Sequence, residues 1–246
     1  MQRLPLCLHT ACISVALALA VSCGIDNYIY LEPPSQILHS ATNTDDPEQK
    51  YILVKVPDTQ NMHDEPDNFK GYEILYRIYN SSSARDQDNS AILNYNTANP
   101  TSIRRYLSDT MKYHRLASSV RGDRLPLVEG TTTDRKVYLR LTPYSGILPC
   151  LLAGDIDESS DSSILLSGTD YGIPLRTREG FTKIGDNSYR FDYQEIDKDD
   201  ADVLFTASVQ ETDWYVQFYM LTYGYDSSYQ SIYSSALYLG WIKISS

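Results

Sequence analysis

Oxygen-bearing side chains at alternate positions of Asp155-Ile-Asp157-Glu-Ser159-Ser-Asp161 imitate the opening half of a calcium loop. Such a loop needs glycine at its sixth position and a bidentate glutamate at its twelfth, where this chain has Ser160 and Leu166. The stretch therefore reads as a solvated acidic loop, with Asp155, Asp157 and Asp161 as weak candidates for a hard cation. The acid-rich run Glu195–Asp202 has less geometric support still. Among 32 Asp and Glu residues, pairs able to hydrolyse a glycoside arise by folding and leave no spacing to read. Zinc-ligand spacing, a P-loop, a G-x-S-x-G elbow and a dinucleotide fingerprint are missing from the sequence. Neither catalytic residues nor a dissociable cofactor are expected. An extracytoplasmic glycan-acting hydrolase using an Asp/Glu pair stays open as the alternative.

The thiols are more informative. An apolar run from about Leu4 to Val21, after a single charge at Arg3, ends in Leu19-Ala20-Val21-Ser22-Cys23-Gly24. It is short and interrupted by Pro5, His9 and Thr10, which suits a secretory signal better than a membrane span. The pattern resembles the bacterial lipoprotein signal, in which signal peptidase II cuts before the cysteine and the thiol carries diacylglycerol. That resemblance implies a signal peptide over residues 1–22 and a covalent lipid on Cys23. Cys7 and Cys12 would then leave with the signal, so Cys150 remains without an intramolecular disulfide partner. In Ile147-Leu-Pro-Cys150-Leu-Leu152 it reads as a small packing residue, since the histidines His39, His63 and His114 are too scattered to signal a base.

The formal net charge is −11 and becomes −12 once Arg3 is lost. An acidic exterior repels nucleic acid, so binding through a phosphate-tracking groove is excluded from the expected functions. Tyrosine is the unusual ingredient, at 21 residues against 5 Phe and 2 Trp. Aromatic rings favour half-buried pleated surfaces, and the phenol can sit at a sheet edge with its tip in water.

Stepping along the chain, Gly24–Pro34 reads as a tether stiffened by Pro33-Pro34, whose patch Tyr28, Tyr30, Leu31 could meet a membrane interface or dock on the domain. Tyr51–Val56 is a two-sided apolar strand, followed by a polar loop to Asn68. Phe69–Tyr79 puts Tyr72, Ile74, Tyr76 and Ile78 on one face and Glu73, Leu75, Arg77 and Tyr79 on the other, ending in a turn at Asn80–Ser83. Residues 84–98 read as a polar loop. A helix is expected from the cap Asn99 and Pro100 through Ile103, Leu107, Met111, Tyr113, His114 and Ala117 to a stop at Gly122. Further strands are expected at Leu125–Val128, Lys136–Leu141, Gly172–Arg176, Tyr189–Tyr193 and Val203–Val209. The longest sheet signal comes last: Trp214–Tyr223, with Trp214, Val216, Phe218 and Met220 on one face, then a turn and a return strand Tyr233–Ile244.

Tyr51–Val56, Gly71-Tyr-Glu-Ile-Leu-Tyr-Arg77, Trp214–Thr222 and Tyr233-Ser-Ser-Ala-Leu237 resemble strands B, C, F and G of fibronectin type III modules. Cys23-Gly24, Tyr28–Pro34, Phe69–Tyr76, Tyr233-Ser-Ser and Leu239-Gly240 look like blocks of spirochaetal, treponemal-type outer-envelope lipoproteins of undefined activity. The first resemblance implies a mainly β protein: an Ig/fibronectin III-like antiparallel β-sandwich with a large insertion, about residues 80–210, containing one α-helix. Residues 23–34 would be the lipidated tether and 35–246 a single elaborated domain. Together they imply a lipid-anchored protein of the bacterial cell envelope, periplasmic or surface-facing. It would act as a binding or envelope-interaction module, with the membrane as one partner and a protein or glycan as the other. The candidate binding surface is Tyr223, Tyr225, Tyr229 and Tyr233, expected to lie exposed and contiguous.

Overall fold

The computed structural model describes residues 29–42, 44–157, 165–166, 168–178, 189–209 and 213–245. The signal segment and Cys23 lie outside the described residues. The protein is mainly β, with antiparallel sheets and three helices.

The first sheet takes its strands in the order β1 (Gln36–His39), β2 (Tyr51–Val56), β7 (Arg135–Arg140), β8 (Cys150–Gly154) and β11 (Thr169–Gly172), every neighbour antiparallel. The short strands β4 (His114–Arg115), β5 (Ala117–Ser118) and β6 (Val128–Glu129) fall between β3 (Phe69–Tyr79) and β7 in the chain. The pairs β9 (Ile156–Asp157) with β10 (Leu165–Leu166), and β5 with β12 (Pro174–Leu175), stand outside the two main sheets. The second sheet is built on β3 and β14 (Trp214–Tyr225), antiparallel with Val216 opposite Ile78 and Leu221 opposite Glu73. Beyond β14 lie β15 (Ser231–Tyr233) and β16 (Leu237–Ile244). On the other edge of β3, β13 (Val203–Leu204) pairs in parallel, and β4 and β6 pair antiparallel.

Period-two alternation decides where each side chain goes. Tyr72, Ile74, Tyr76 and Ile78 of β3 join Val216, Phe218 and Met220 of β14 in a core with Ile52, Val54 and Val56 of β2 and Val137 and Leu139 of β7. The two sheets therefore face one another across that core. The opposite face of β3–β14 is also covered: Leu75, Tyr219 and Leu221 pack with Ile92, Ile103, Leu107 and Met111 of a helical layer. This second burial explains why both long strands are apolar on both faces. Burial on the two faces together accounts for much of the tyrosine. The rings of Tyr72, Tyr76, Tyr79 and Tyr219 are fully buried, while their hydroxyls donate to Asp58, Asp202, Asp88 and Asn89.

The helical layer corrects the expectation of one α-helix. Residues 84–98, read as a loop, belong with Ser82 and Ser83 of the expected turn to a 17-residue α-helix, Ser82–Ala98, with Ser81 as N-cap accepting from the Ala84 N–H at 3.2 Å. Asp58–Asp64, read as loop, is a second α-helix. The helix expected from Asn99 to Gly122 runs only from Pro100 to Thr110, through a 3₁₀ turn, one α turn at Ile103–Arg105 and a π turn. Lys112 has φ +53, and the Tyr113 N–H donates to the Leu107 carbonyl at 2.9 Å, a left-handed closure that redirects Tyr113–Ala117 into β4 and β5. Nor do residues 80–210 stand apart from the sheets, since β7, β8 and β11 are three of the five strands of the first sheet.

Four expected strands shrink, split or vanish. Gly172–Arg176 breaks at Ile173, leaving Gly172 as the last residue of β11 and Pro174–Leu175 as β12. Leu125–Val128 contributes only Val128 to β6. Tyr189–Tyr193 is not a strand: Phe191 instead drops into the core, 5.0 Å centroid to centroid from Tyr76. Val203–Val209 stops at Leu204, because the Asn80 side chain takes over the pairing, accepting from Thr206 N–H and donating to its carbonyl.

Candidate functional site

The tyrosine-rich end of β14 and β15 is a hairpin whose tip is tied together by one carboxylate. Asp226 Oδ1 accepts from the Ser228 and Gln230 N–H groups, both at 2.8 Å. Backbone bonds from Tyr229 N to Asp226 O and from Asp226 N to Gln230 O close the loop. Tyr229 is held with φ +60 and is 84 % exposed. A side chain in a left-handed conformation costs free energy, so the tip presents this ring against a backbone preference.

The other three expected surface residues are not equally exposed. Tyr223 is only 2 % exposed. Its ring is sandwiched between Tyr225 at 5.3 Å and Tyr233 at 5.4 Å, and burial pushes its hydroxyl up to about 12. Tyr223 therefore supports the hairpin and is removed from the surface, a correction that follows from β14 being covered on both faces. Tyr225 and Tyr233 are half-buried. The rings of Tyr223, Tyr225 and Tyr233 are in contact, and Tyr229, at the tip, is the exposed one of the four.

Beside the hairpin lies a groove of about 390 Å³. Asp226 and Ser231–Ser234 form one wall, Ile29–Leu31 a second, and Pro100 and Thr101 a third. Docking of the Tyr30–Leu31 patch is one of the two alternatives the sequence leaves open, whereas the Pro100–Thr101 wall escaped the reading because Pro100 reads as a helix start. The described part of the Gly24–Pro34 tether is docked. Leu31 and Pro34 are buried, Glu32 N–H donates to Asn61 Oδ1 at 2.8 Å, and Thr222 Oγ1 donates to the Glu32 carbonyl at 2.6 Å. Tyr30 remains 54 % exposed at the groove.

The buried carboxylates elsewhere among the described residues are committed to arginines. Asp202, fully buried, takes Arg176 at 2.6 and 2.9 Å, and Asp200 takes Arg176 at 2.7 Å and Arg178. Asp58 takes Arg135 at 2.8 Å, and burial still raises its carboxyl above the ordinary range. Glu73 is shared by Arg104 and Arg115. Ion pairing of this kind holds the carboxylates as structural anions. In the groove the acid is Asp226, whose Oδ1 is engaged by the tip.

Asp155 lines a separate cavity of about 100 Å³ with Lys55, Asp134, Arg135 and Lys136, so the first position of the calcium-like stretch has three basic neighbours and one further carboxylate, which pairs with Lys55. The Asp157 side chain and Asp161 lie outside the described residues. No grouping of three His, Cys, Asp or Glu able to hold a metal occurs among the described residues. Cys150 packs half-buried beside Tyr138 on the outer face of the first sheet, and burial pushes its thiol up to about 11. A thiol so shifted is a poor nucleophile at neutral pH.

Comparison of the chain with protein-family models, with curated proteins and with solved structures finds no match.

Proposed function

We propose that this chain is a lipid-anchored, extracytoplasmic binding module of fibronectin type III-like design, held to the envelope through Cys23. Its ligand surface is the groove beside the tyrosine hairpin, and its partner a protein or a glycan. The observation that carries the reading is Tyr229: a fully presented aromatic ring on a tip tied by Asp226, beside a groove of about 390 Å³. Aromatic anchors that stand on rigid supports give contact area at little entropic cost.

The sandwich reading draws support from the strand order. β1-β2-β7 facing β3-β14-β16 follows the A-B-E and C-F-G sheets of such modules, with C, F and G at the segments that carry the resemblance. The anchor draws support from the lipobox pattern and from where the chain enters the domain, at the groove.

Two experiments test the reading. Cells producing the chain are grown with clickable palmitate: wild type should be labelled and Cys23→Ser should not, and an unlabelled wild type would overturn the anchor. The Cys23→Ser protein, with and without Tyr229→Ser, is then applied to a glycan array and to immobilised envelope proteins. Binding that survives Tyr229→Ser unchanged would remove the hairpin from the ligand surface.

A further inference from the structure

Glu73 is fully buried on the helix-facing side of β3, yet two arginines from different elements converge on it. Arg104, from the helical run, donates through Nε to Oε2 at 3.1 Å and through Nη2 to Oε1 at 2.9 Å. Arg115, from β4, donates through Nε to the same Oε1 at 3.0 Å. The bidentate Arg104 pair alone balances the charge of the carboxylate. The second guanidinium therefore brings a net positive charge to this spot in a chain whose formal charge is −11.

Both cations reach solvent, with side chains 23 % and 31 % exposed. Arg115 Nη1 donates to the Asp123 carbonyl, while Nη1 of Arg104 and Nη2 of Arg115 have no hydrogen-bond partner among the described residues. The other acid near Arg104 is Asp109, itself engaged by Arg105 at 3.2 Å and by Ser108 at 2.7 Å. Arg104 lies over the ring of Tyr233, 5.5 Å from its centroid, and Tyr233 lines the groove. Arg104 also follows the groove wall Pro100–Thr101 by one helical turn. Burial raises the Tyr233 hydroxyl, Glu73 raises it further, and both guanidinium groups pull it back down, so the four groups share one electrostatic neighbourhood.

We propose that Arg104 and Arg115 form an oxyanion-binding site at the Tyr233 side of the groove, for a ligand carrying a carboxylate, phosphate or sulfate group. The site rests on the binding-module reading and names the chemistry its ligand brings. Two like charges drawn to one carboxylate oxygen repel each other, and an incoming anion relieves that repulsion while taking up the outward N–H groups in fork geometry. The rest of the ligand would then lie along the groove toward Tyr229.

The test uses the whole Cys23→Ser chain at low ionic strength. Arginine Nε–H resonances are followed by NMR during titration with inorganic phosphate, glucuronate and N-acetylalanine, with sodium chloride and glucose as controls. Saturable shifts confined to Arg104 and Arg115 support the site, and the tightest of the three probes tells a phosphate from an acidic sugar or a peptide carboxylate. Arg115→Gln leaves the Arg104–Glu73 fork in place and should weaken the preferred anion at least tenfold. Shifts that match those of chloride, or an Arg115→Gln protein that binds as wild type does, overturn the proposal. Wild-type shifts decide the matter even if the variant folds poorly. Tyr229→Ser separates the two readings: it should abolish partner binding while leaving the small-anion titration intact.

Discussion

The carbonyl oxygen of Val128 lies 2.1 Å from where a Cβ would stand on Gly71. Gly71 has φ +142 and stands third in β3, where β6 pairs antiparallel with its edge and Tyr72 is opposite Val128. Both the backbone angle and the close approach of β6 require a residue without a side chain. Gly71→Ala should lower the unfolding free energy by at least about 2 kcal/mol, read from the urea midpoint at unchanged m-value. Unchanged stability would mean that β6 does not pair closely with β3 at this point.

Acid should loosen the Arg176 cluster in a defined direction. Burial pulls the Asp200 carboxyl up, but the Asp197 N–H and the Arg176 and Arg178 guanidinium groups outweigh it, and the group sits below its ordinary 3.8. In the unfolded chain Asp200 takes up its proton first as pH falls, so its contribution is present above the unfolded value and lost as pH drops toward the folded one. Wild-type stability should therefore fall between pH 5 and pH 3, and Asp200→Asn should flatten that fall. An equal slope in the variant would assign the acid sensitivity to other groups.

The long strands were legible because burial on both faces leaves its mark as an extended run of apolar and aromatic residues. Tyr51–Val56, Phe69–Tyr79 and the Trp214 strand are found where those runs put them. The helix Ser82–Ala98 left no such mark. Arg85 and Ile92 are its buried residues, and a guanidinium gives no apolar signal. Arg85 stacks instead on Trp241, 4.1 Å from the ring centroid, a partner 156 positions away that no local pattern announces. Helical spacing likewise carried the reading past Met111, where the left-handed Lys112 ends the helix. Of the candidate site, the tyrosines were visible as composition. The groove was not, because its walls come from three distant segments that meet only in the fold.

The helical layer should therefore be worth far more than its polar sequence suggests. Ile92 is fully buried in the cluster formed with Leu75, Tyr219 and Leu221 of the second sheet. Ile92→Ala removes atoms from both the transfer and the packing balance, at a cost of about 2–5 kcal/mol. The exposed Leu93→Ala next to it should change stability by no more than about 0.5 kcal/mol. Thermal unfolding of the two variants side by side checks the assignment. Equal effects would place the helix away from the sheet.

Tyr229 offers the sharpest separation of folding from function. Its φ of +60 is a conformation that glycine adopts without strain, and its ring is 84 % exposed. Relieving the backbone should more than offset the little that the ring contributes to packing, so Tyr229→Gly is expected to hold or gain stability, by up to about 1 kcal/mol. Asp226→Ala, which removes the acceptor for Ser228 and Gln230, should instead loosen the tip and cost about 1 kcal/mol. If the strained ring is kept because it meets a ligand, the glycine variant will be as stable as wild type and will not bind. A Tyr229→Gly protein that is both more stable and fully competent to bind would show that the ring plays no part in recognition.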